Sequence, residues 1–208
     1  MKVLGLVGSY RKEGNTDILV KKVLEGVKSE NIDTQYIFLN DYEIKDCNGC
    51  EGCKKTHKCV IKDDMQKLYP LIEDADAIVI GSPTYFYNVT GKMKNFLNRF
   101  YCYEIFDEND RSIWISLNEV LGLKYAVTVA VCEQDNEEDM GFTSLTMSKS
   151  LEALGFRIIT NVKALNVFSK GSILQDTKQL EIANKAGVKL AKTMKLRDDI
   201  KTAKNIFV

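Results

Sequence analysis

No sign of charge dominates this chain: 29 lysines and arginines face 29 aspartates and glutamates over 208 residues. That balance argues against nucleic acid or an anionic membrane as the main partner, because either would reward a basic surface. No apolar run approaches the roughly 18 residues that span a bilayer. Met1 leads straight into a strand-like stretch, with neither a separate apolar segment nor a cleavage site before it. The expectation is therefore a cytoplasmic protein. Internal repeats, low-complexity tracts and linkers are missing too, and the length suits one domain, 1–208, with a core of its own. A general acid–base pair and a nucleophile triad are equally absent, so any demanding chemistry falls to a bound group. Against these absences stand six cysteines. In a reducing compartment disulfides are disfavoured, and clustered thiols point to metal or redox work.

Apolar, strand-like runs recur at residues 1–7, 34–39, 77–80, 125–131 and 156–165. Between and after them lie helical patterns at 16–29, 64–74, 91–103, 143–154 and 175–196. Five strands alternating with five helices predict an α/β fold: a doubly wound, five-stranded parallel sheet with helices on both faces. Right-handed crossovers give the strand order 2-1-3-4-5, and ligands of such sheets sit beyond the carboxyl ends of strands 1 and 3. Two segments stand outside that pattern. Residues 40–62 form a long connection of the kind that tends to be functional. Residues 102–123 read as an insertion that lies over the site or joins two subunits through Ile113, Trp114 and Ile115, with Trp114 as a satellite core residue the plainer alternative. The apolar end, Ile206, Phe207 and Val208, either docks on a partner subunit or frays.

The loop after the first strand runs Gly8-Ser9-Tyr10-Arg11-Lys12-Glu13-Gly14-Asn15-Thr16 and opens directly into a helix. A helix start aims its free N–H groups and its dipole at whatever the loop holds, so an anion is the natural guest. Ser9, Asn15 and Thr16 add neutral donors and Arg11 a charged fork. The loop matches neither G-x-x-x-x-G-K-[ST] nor G-x-G-x-x-G, which disfavours a nucleoside triphosphate or a dinucleotide pyrophosphate. A single terminal phosphate, as on FMN, fits better; the plain alternative is an ordinary turn capped by Asn15 or Thr16. After the third strand comes Gly81-Ser82-Pro83-Thr84-Tyr85-Phe86-Tyr87-Asn88-Val89-Thr90-Gly91. Three aromatics in one loop suit a planar cofactor, although packing under a neighbouring loop would also explain them.

Together these two loops resemble those of the NADPH-dependent FMN reductase branch of the flavodoxin-like superfamily, over about the first 100 residues and more weakly beyond. The resemblance implies FMN phosphate contacts from Ser9, Arg11, Asn15 and Thr16. It implies isoalloxazine contacts from Pro83, Thr84, Tyr85, Phe86 and Asn88. The family's third, glycine-rich loop is replaced here by the acidic run Glu133-Gln134-Asp135-Asn136-Glu137-Glu138-Asp139, with only Gly141.

Within residues 40–62, Cys47, Cys50, Cys53 and Cys59 form a C-x2-C-x2-C-x5-C run with Gly49 and Gly52 in the spacers. Thiolates suit zinc or iron–sulfur centres. Zinc sites more often use two separated C-x2-C pairs, whereas successive two-residue spacings are like ferredoxin ligation. His57 reads as a zinc ligand or an exposed loop residue, and Cys102 and Cys132 as small buried hydrophobes. The run is similar to the compact cysteine motif of iron–sulfur flavoproteins from anaerobic archaea and bacteria. That similarity implies a [4Fe–4S] cluster on Cys47, Cys50, Cys53 and Cys59 beside FMN.

The expectation that follows is an FMN-dependent oxidoreductase or electron-transfer flavoprotein, relaying electrons through the cluster. Its donor would be ferredoxin or NAD(P)H and its acceptor a small molecule, in a homodimer or homotetramer. Two alternatives stay open: a plain NAD(P)H-dependent flavin or quinone reductase without a cluster, and a non-enzymatic thiol or zinc sensor.

Overall fold

Alternating apolar residues along the first strand set the layering. In β1 (Lys2–Val7), Leu4 and Leu6 join one core while Val3 and Val7 join the other, and all four are fully buried. A strand buried on both faces belongs inside a parallel sheet with helices above and below. The structure, a computed structural model, describes residues 1–204; the apolar end at 206–208 lies outside the described residues.

Counting all strands, β1 is followed by β2 (Asp33–Phe38) and β3 (Ala77–Pro83), then by a hairpin of β4 (Glu104–Phe106) and β5 (Trp114–Ser116), and finally by β6 (Lys124–Val131) and β7 (Phe156–Ala164). The main sheet is entirely parallel in the order β2-β1-β3-β6-β7, and the hairpin is a separate antiparallel pair. With the hairpin set aside, this is the expected 2-1-3-4-5 order. The helices α1 (Asn15–Lys28) and α6 (Thr177–Lys204) cover one face. The other is covered by α2 (Met65–Asp74), α3 (Gly91–Asn98) and α5 (Thr143–Ala153). Contact between α1 and α6 is close enough that a Cβ on Gly187 would stand 1.9 Å from the Val23 carbonyl oxygen. Among the described residues, no helix is long and apolar enough to cross a membrane.

Three boundaries differ from the sequence expectation, each for a physical reason. The helix expected over 91–103 ends as α3 at Asn98 and tightens into a 3-10 turn over Arg99–Tyr103. Arg99, Phe100, Cys102 and Tyr103 are all buried, more of one turn than the single apolar stripe of an α-helix can hide. Strand β3 runs past Ile80 because Ser82 and Pro83 pair with Ala130 and Val131 of β6. On its β1 side pairing stops at Gly81, so the missing Pro83 N–H costs no ladder bond there. The last helix starts at Thr177, after a 3-10 turn over Ser172–Gln175, and continues through Lys204. The 102–123 insertion is the hairpin followed by a short helix, α4 (Leu117–Leu121), closed at its start by a Ser116–Glu119 capping box.

Candidate cofactor cleft and thiol pocket

Because β1 and β3 are neighbours, the loops at their carboxyl ends run side by side. The Gly8 N–H donates to the Gly81 carbonyl at 2.8 Å, and the Thr90 hydroxyl donates to the Gly8 carbonyl while also accepting the Met93 N–H that caps α3. The cleft they bound is lined by Ser9, Arg11, Asn15, Thr16, Pro83, Thr84 and Tyr85, with Glu133 and, from the loop after β7, Val167 and Phe168. Phe86 lines an outward extension of it, together with Tyr87, Cys132 and Glu133. Asn88 lines neither; its side-chain oxygen accepts from the Val89 N–H and the Thr146 hydroxyl, both at 2.8 Å.

One end of the cleft is the start of α1. Its cap is Gly14, which offers no side chain, and the first helical acceptor, the Gly14 carbonyl, takes the N–H of Ile18. The N–H groups of Asn15, Thr16 and Asp17 therefore have no helical partner, and the dipole's positive end faces the cleft. The acid of that turn, Asp17, is fully buried and committed elsewhere: it accepts from the Glu13 N–H and the Tyr36 hydroxyl, both at 2.7 Å, and pairs with Lys21 at 3.1 Å. Asn15 spends its side chain on the protein, donating to the Ser169 carbonyl (2.9 Å) and accepting from the Ile173 N–H (3.2 Å). Arg11 donates one N–H to the Phe168 carbonyl at 3.1 Å and lies 5.4 Å above that ring. Both residues thus fasten the loop after β7 to the cleft.

The other end is a strained aromatic turn. Tyr85 and Asn88 exchange backbone hydrogen bonds of 2.7 and 3.2 Å, which puts Phe86 and Tyr87 at φ of 47° and 64°. Two non-glycine residues in the left-handed region make a type I′ turn that glycine or asparagine usually occupies. Phe86 is 97% exposed, so its own packing does not hold the turn. The loop after β6 does: Phe142 donates its N–H to the Tyr87 carbonyl at 2.7 Å. Gly141 sits so close that a Cβ would come within 2.5 Å of that oxygen. Strain of this sort tends to collect at functional sites. The Tyr10 ring stacks on Tyr85 at 6.1 Å. The Thr84 hydroxyl, in the cleft wall, is buried without a hydrogen-bond partner. An uncapped helix start, an unspent hydroxyl and a bank of aromatics are the features FMN would require, and the cleft fits it.

The four motif cysteines line one pocket together with Arg99, Tyr101 and Cys102. All six cysteines are free thiols. The loop is folded by local turns, with Gly49 at φ 67° and the Thr56 and His57 N–H groups donating back to the Cys53 carbonyl. Burial raises the Cys53 thiol, and the nearby Cys59, Cys47 and Cys50 add to the effect. Burial likewise pushes Cys102 up to about 11, so it stays protonated at neutral pH, as a small buried hydrophobe would. His57 is half-buried rather than exposed, its Nδ1 without a partner. Among the described residues, no three His, Cys, Asp or Glu side chains converge tightly enough to hold a metal ion. The thiols share a pocket without meeting at a point, and a preformed metal site is uncommon where binding and local folding are coupled. Four soft donors on one short loop fit an iron–sulfur centre chemically.

Sequence reasoning missed two walls. Phe168 closes the cleft from the loop after β7, and its only signal is an aromatic in a polar stretch at a strand's carboxyl end. Arg99 backs the thiol pocket, and nothing local to it in the sequence distinguishes it from a solvated helix cation.

Residues 1–133 match the family model described as NADPH-dependent FMN reductase. The chain is 42% identical over 99 residues to an iron–sulfur flavoprotein of Methanocaldococcus jannaschii, covering 48% of this chain and 51% of that one. It is 48% identical over 99 residues to an iron–sulfur flavoprotein of Archaeoglobus fulgidus, covering 48% of each. The matched region is thus about half the length of these curated relatives. In fold it is similar to a flavone reductase, with a TM-score of 0.72 at 20% identity over 94% of this chain and 63% of that one. It is also similar to the NAD(P)H:quinone oxidoreductase of Methanothermobacter marburgensis, with a TM-score of 0.67 at 16% identity over 91% and 96% of the two chains. A flavodoxin from the domain Archaea aligns over 94% of this chain and 99% of its own with a TM-score of 0.57 at 16% identity. Fold, cleft and family match agree: the chain has a flavodoxin-like fold and belongs to the NADPH-dependent FMN reductase family.

Proposed function

We propose that this protein is an FMN-dependent oxidoreductase that also carries a [4Fe–4S] cluster and moves electrons between a reduced donor and a small acceptor. One observation carries the reading: the chain holds a cleft between the loops after β1 and β3, and a separate pocket lined by all four motif thiols. The chemistry supplied when both groups are bound is electron transfer, in pairs at the flavin and singly at the iron–sulfur centre. The chain's own residues bind and orient. The start of α1 with Arg11 would hold the phosphate, Thr84 would bond the ring's polar edge, and Tyr85 would pack on the ring. Cys47, Cys50, Cys53 and Cys59 would ligate iron. The donor is ferredoxin or NAD(P)H. The exposed Ile113, Trp114 and Ile115 of the β4–β5 hairpin are candidate contacts of a homodimer or homotetramer.

The open spacing of the thiols favours a second reading, a flavin reductase that works without a cluster. An NAD(P)H-dependent FAD/FMN reductase of Geobacillus thermodenitrificans is 34% identical over 97 residues, covering 46% of this chain and 49% of that one. Stopped-flow reduction by ferredoxin and by NADPH, in wild type and in Cys53→Ser, separates the two. The relay predicts that the variant loses reduction by ferredoxin and keeps reduction by NADPH. Equal rates in both proteins with both donors would favour the cluster-free reductase.

A further inference from the structure

Arg99 is the least explained charge in the molecule. Its side chain and that of Asp63 are fully buried and form an ion pair. Its Nη1 also donates to the Lys45 carbonyl at 3.0 Å and its Nη2 approaches the Ile61 carbonyl at 3.4 Å. Asp63 accepts from the Lys45 and Met65 N–H groups at 2.8 and 3.0 Å. Lys45 and Ile61 bracket the cysteine loop, so one guanidinium ties both of its ends to the turn that follows α3. Burying an ion pair costs more than an apolar substitute of similar volume, so stability alone is a weak reason to keep it. One donor is left over as well: Nε of Arg99 is buried and meets no acceptor. A buried, unmade hydrogen bond is destabilising, and this one belongs to a residue that lines the thiol pocket.

We infer that Arg99 is the positioning residue of the iron–sulfur centre, its Nε–H donating to a cluster ligand sulfur while its ion pair with Asp63 holds the guanidinium in place. The inference rests on the cluster reading above. Four thiolates around a [4Fe–4S] core leave the centre anionic, and hydrogen bonds to the sulfurs together with nearby positive charge make it easier to reduce. The Sγ of the neighbouring Cys102 is committed to the backbone, donating to the Arg99 carbonyl at 3.4 Å. Tyr69 donates to the same carbonyl at 2.7 Å, so the Arg99 backbone is held from two sides.

The test is a redox titration of the anaerobically reconstituted full chain, followed by electron paramagnetic resonance, after iron analysis of the wild type. Arg99→Lys keeps a cation opposite Asp63 and removes the Nε donor. The double variant Arg99→Gln with Asp63→Asn removes both charges at once and avoids stranding a buried carboxylate. Both are expected to hold the wild-type complement of iron, with the cluster's one-electron reduction at least about tenfold less favourable, or about 59 mV more negative. FMN affinity should be unchanged, because the cleft and the thiol pocket share no lining residue. Full iron with an unshifted potential would overturn the inference and leave the cluster reading standing. Loss of iron from both variants would reduce Arg99 to a strut and overturn it as well. A wild type that takes up no iron would refute the cluster reading and this inference with it.

Discussion

Truncation of Arg11 separates a contact seen in the structure from the proposed contact with the flavin phosphate. Its guanidinium donates to the Phe168 carbonyl at 3.1 Å and lies 5.4 Å over the Phe168 ring; the residue also lines the cleft in which the FMN phosphate would sit. Arg11→Ala removes the tether to the loop after β7, a contact of about 0.5–1 kcal/mol at an exposed site. It also removes a charge-assisted bond to phosphate, worth about 1.5–3 kcal/mol. The first loss weakens any flavin equally. The second falls on FMN alone and amounts to about ten- to a hundred-fold in affinity. Titrating the apoprotein with FMN and with riboflavin, by quenching of flavin fluorescence, therefore isolates the phosphate. The wild type should prefer FMN strongly, and Arg11→Ala should lose most of that preference while riboflavin affinity falls only a few-fold. Equal losses for both flavins would mean that Arg11 acts through Phe168, and the phosphate assignment of the first loop would be wrong.

Gly141→Ala puts a side chain at φ 54° and within 2.5 Å of the Tyr87 carbonyl oxygen. It should destabilise the fold by about 2 kcal/mol and weaken FMN by displacing the aromatic turn; an unchanged melting temperature with wild-type affinity would contradict that packing. Glu104 is held up at about 7, chiefly by burial and then by Glu119. Its folded pKa lies above its unfolded one, so its ionisation opposes folding: stability is highest below about pH 4.5 and falls as pH rises through 7. The loss is at most about 3 kcal/mol, and nearer ~1–2 after solvent screening. Urea midpoints of Glu104→Gln at pH 5 and pH 8 should differ less than those of the wild type, and an identical pH dependence would remove Glu104 from the explanation. Light scattering should find a multiple of the 23.6 kDa chain, reduced by Trp114→Ser on the exposed hairpin; a wild-type monomer at micromolar concentration would discard the proposed contact.

The sheet was readable from sequence because each of its strands is an apolar run between helical patterns, a signal carried by consecutive residues. The turn that starts α1 was readable for the same reason: strand, polar loop and helix follow one another from Lys2 to Lys28. What depends on distant pairings was not. Asn15 looks like a free amide in the first loop, yet Ser169 and Ile173 take both ends of it, and no local pattern encodes a bond across more than 150 residues. Arg99 shares a helical stretch with Lys92 and Lys94, and only the fold brings Asp63 to it. The β4–β5 hairpin was missed within the 102–123 insertion because strands of three residues are too short to show alternation.

Whether one chain carries both a flavin and a cluster is decided most directly by composition. Protein purified and reconstituted without oxygen, then assayed for FMN, iron and acid-labile sulfide, should hold about one FMN with about four irons and four sulfides per chain. Replacement of Cys47, Cys50, Cys53 or Cys59 by Ala should remove the iron and leave the FMN. One FMN with stoichiometric zinc, or with no metal, would contradict the relay and leave a flavin reductase with a cysteine-rich loop.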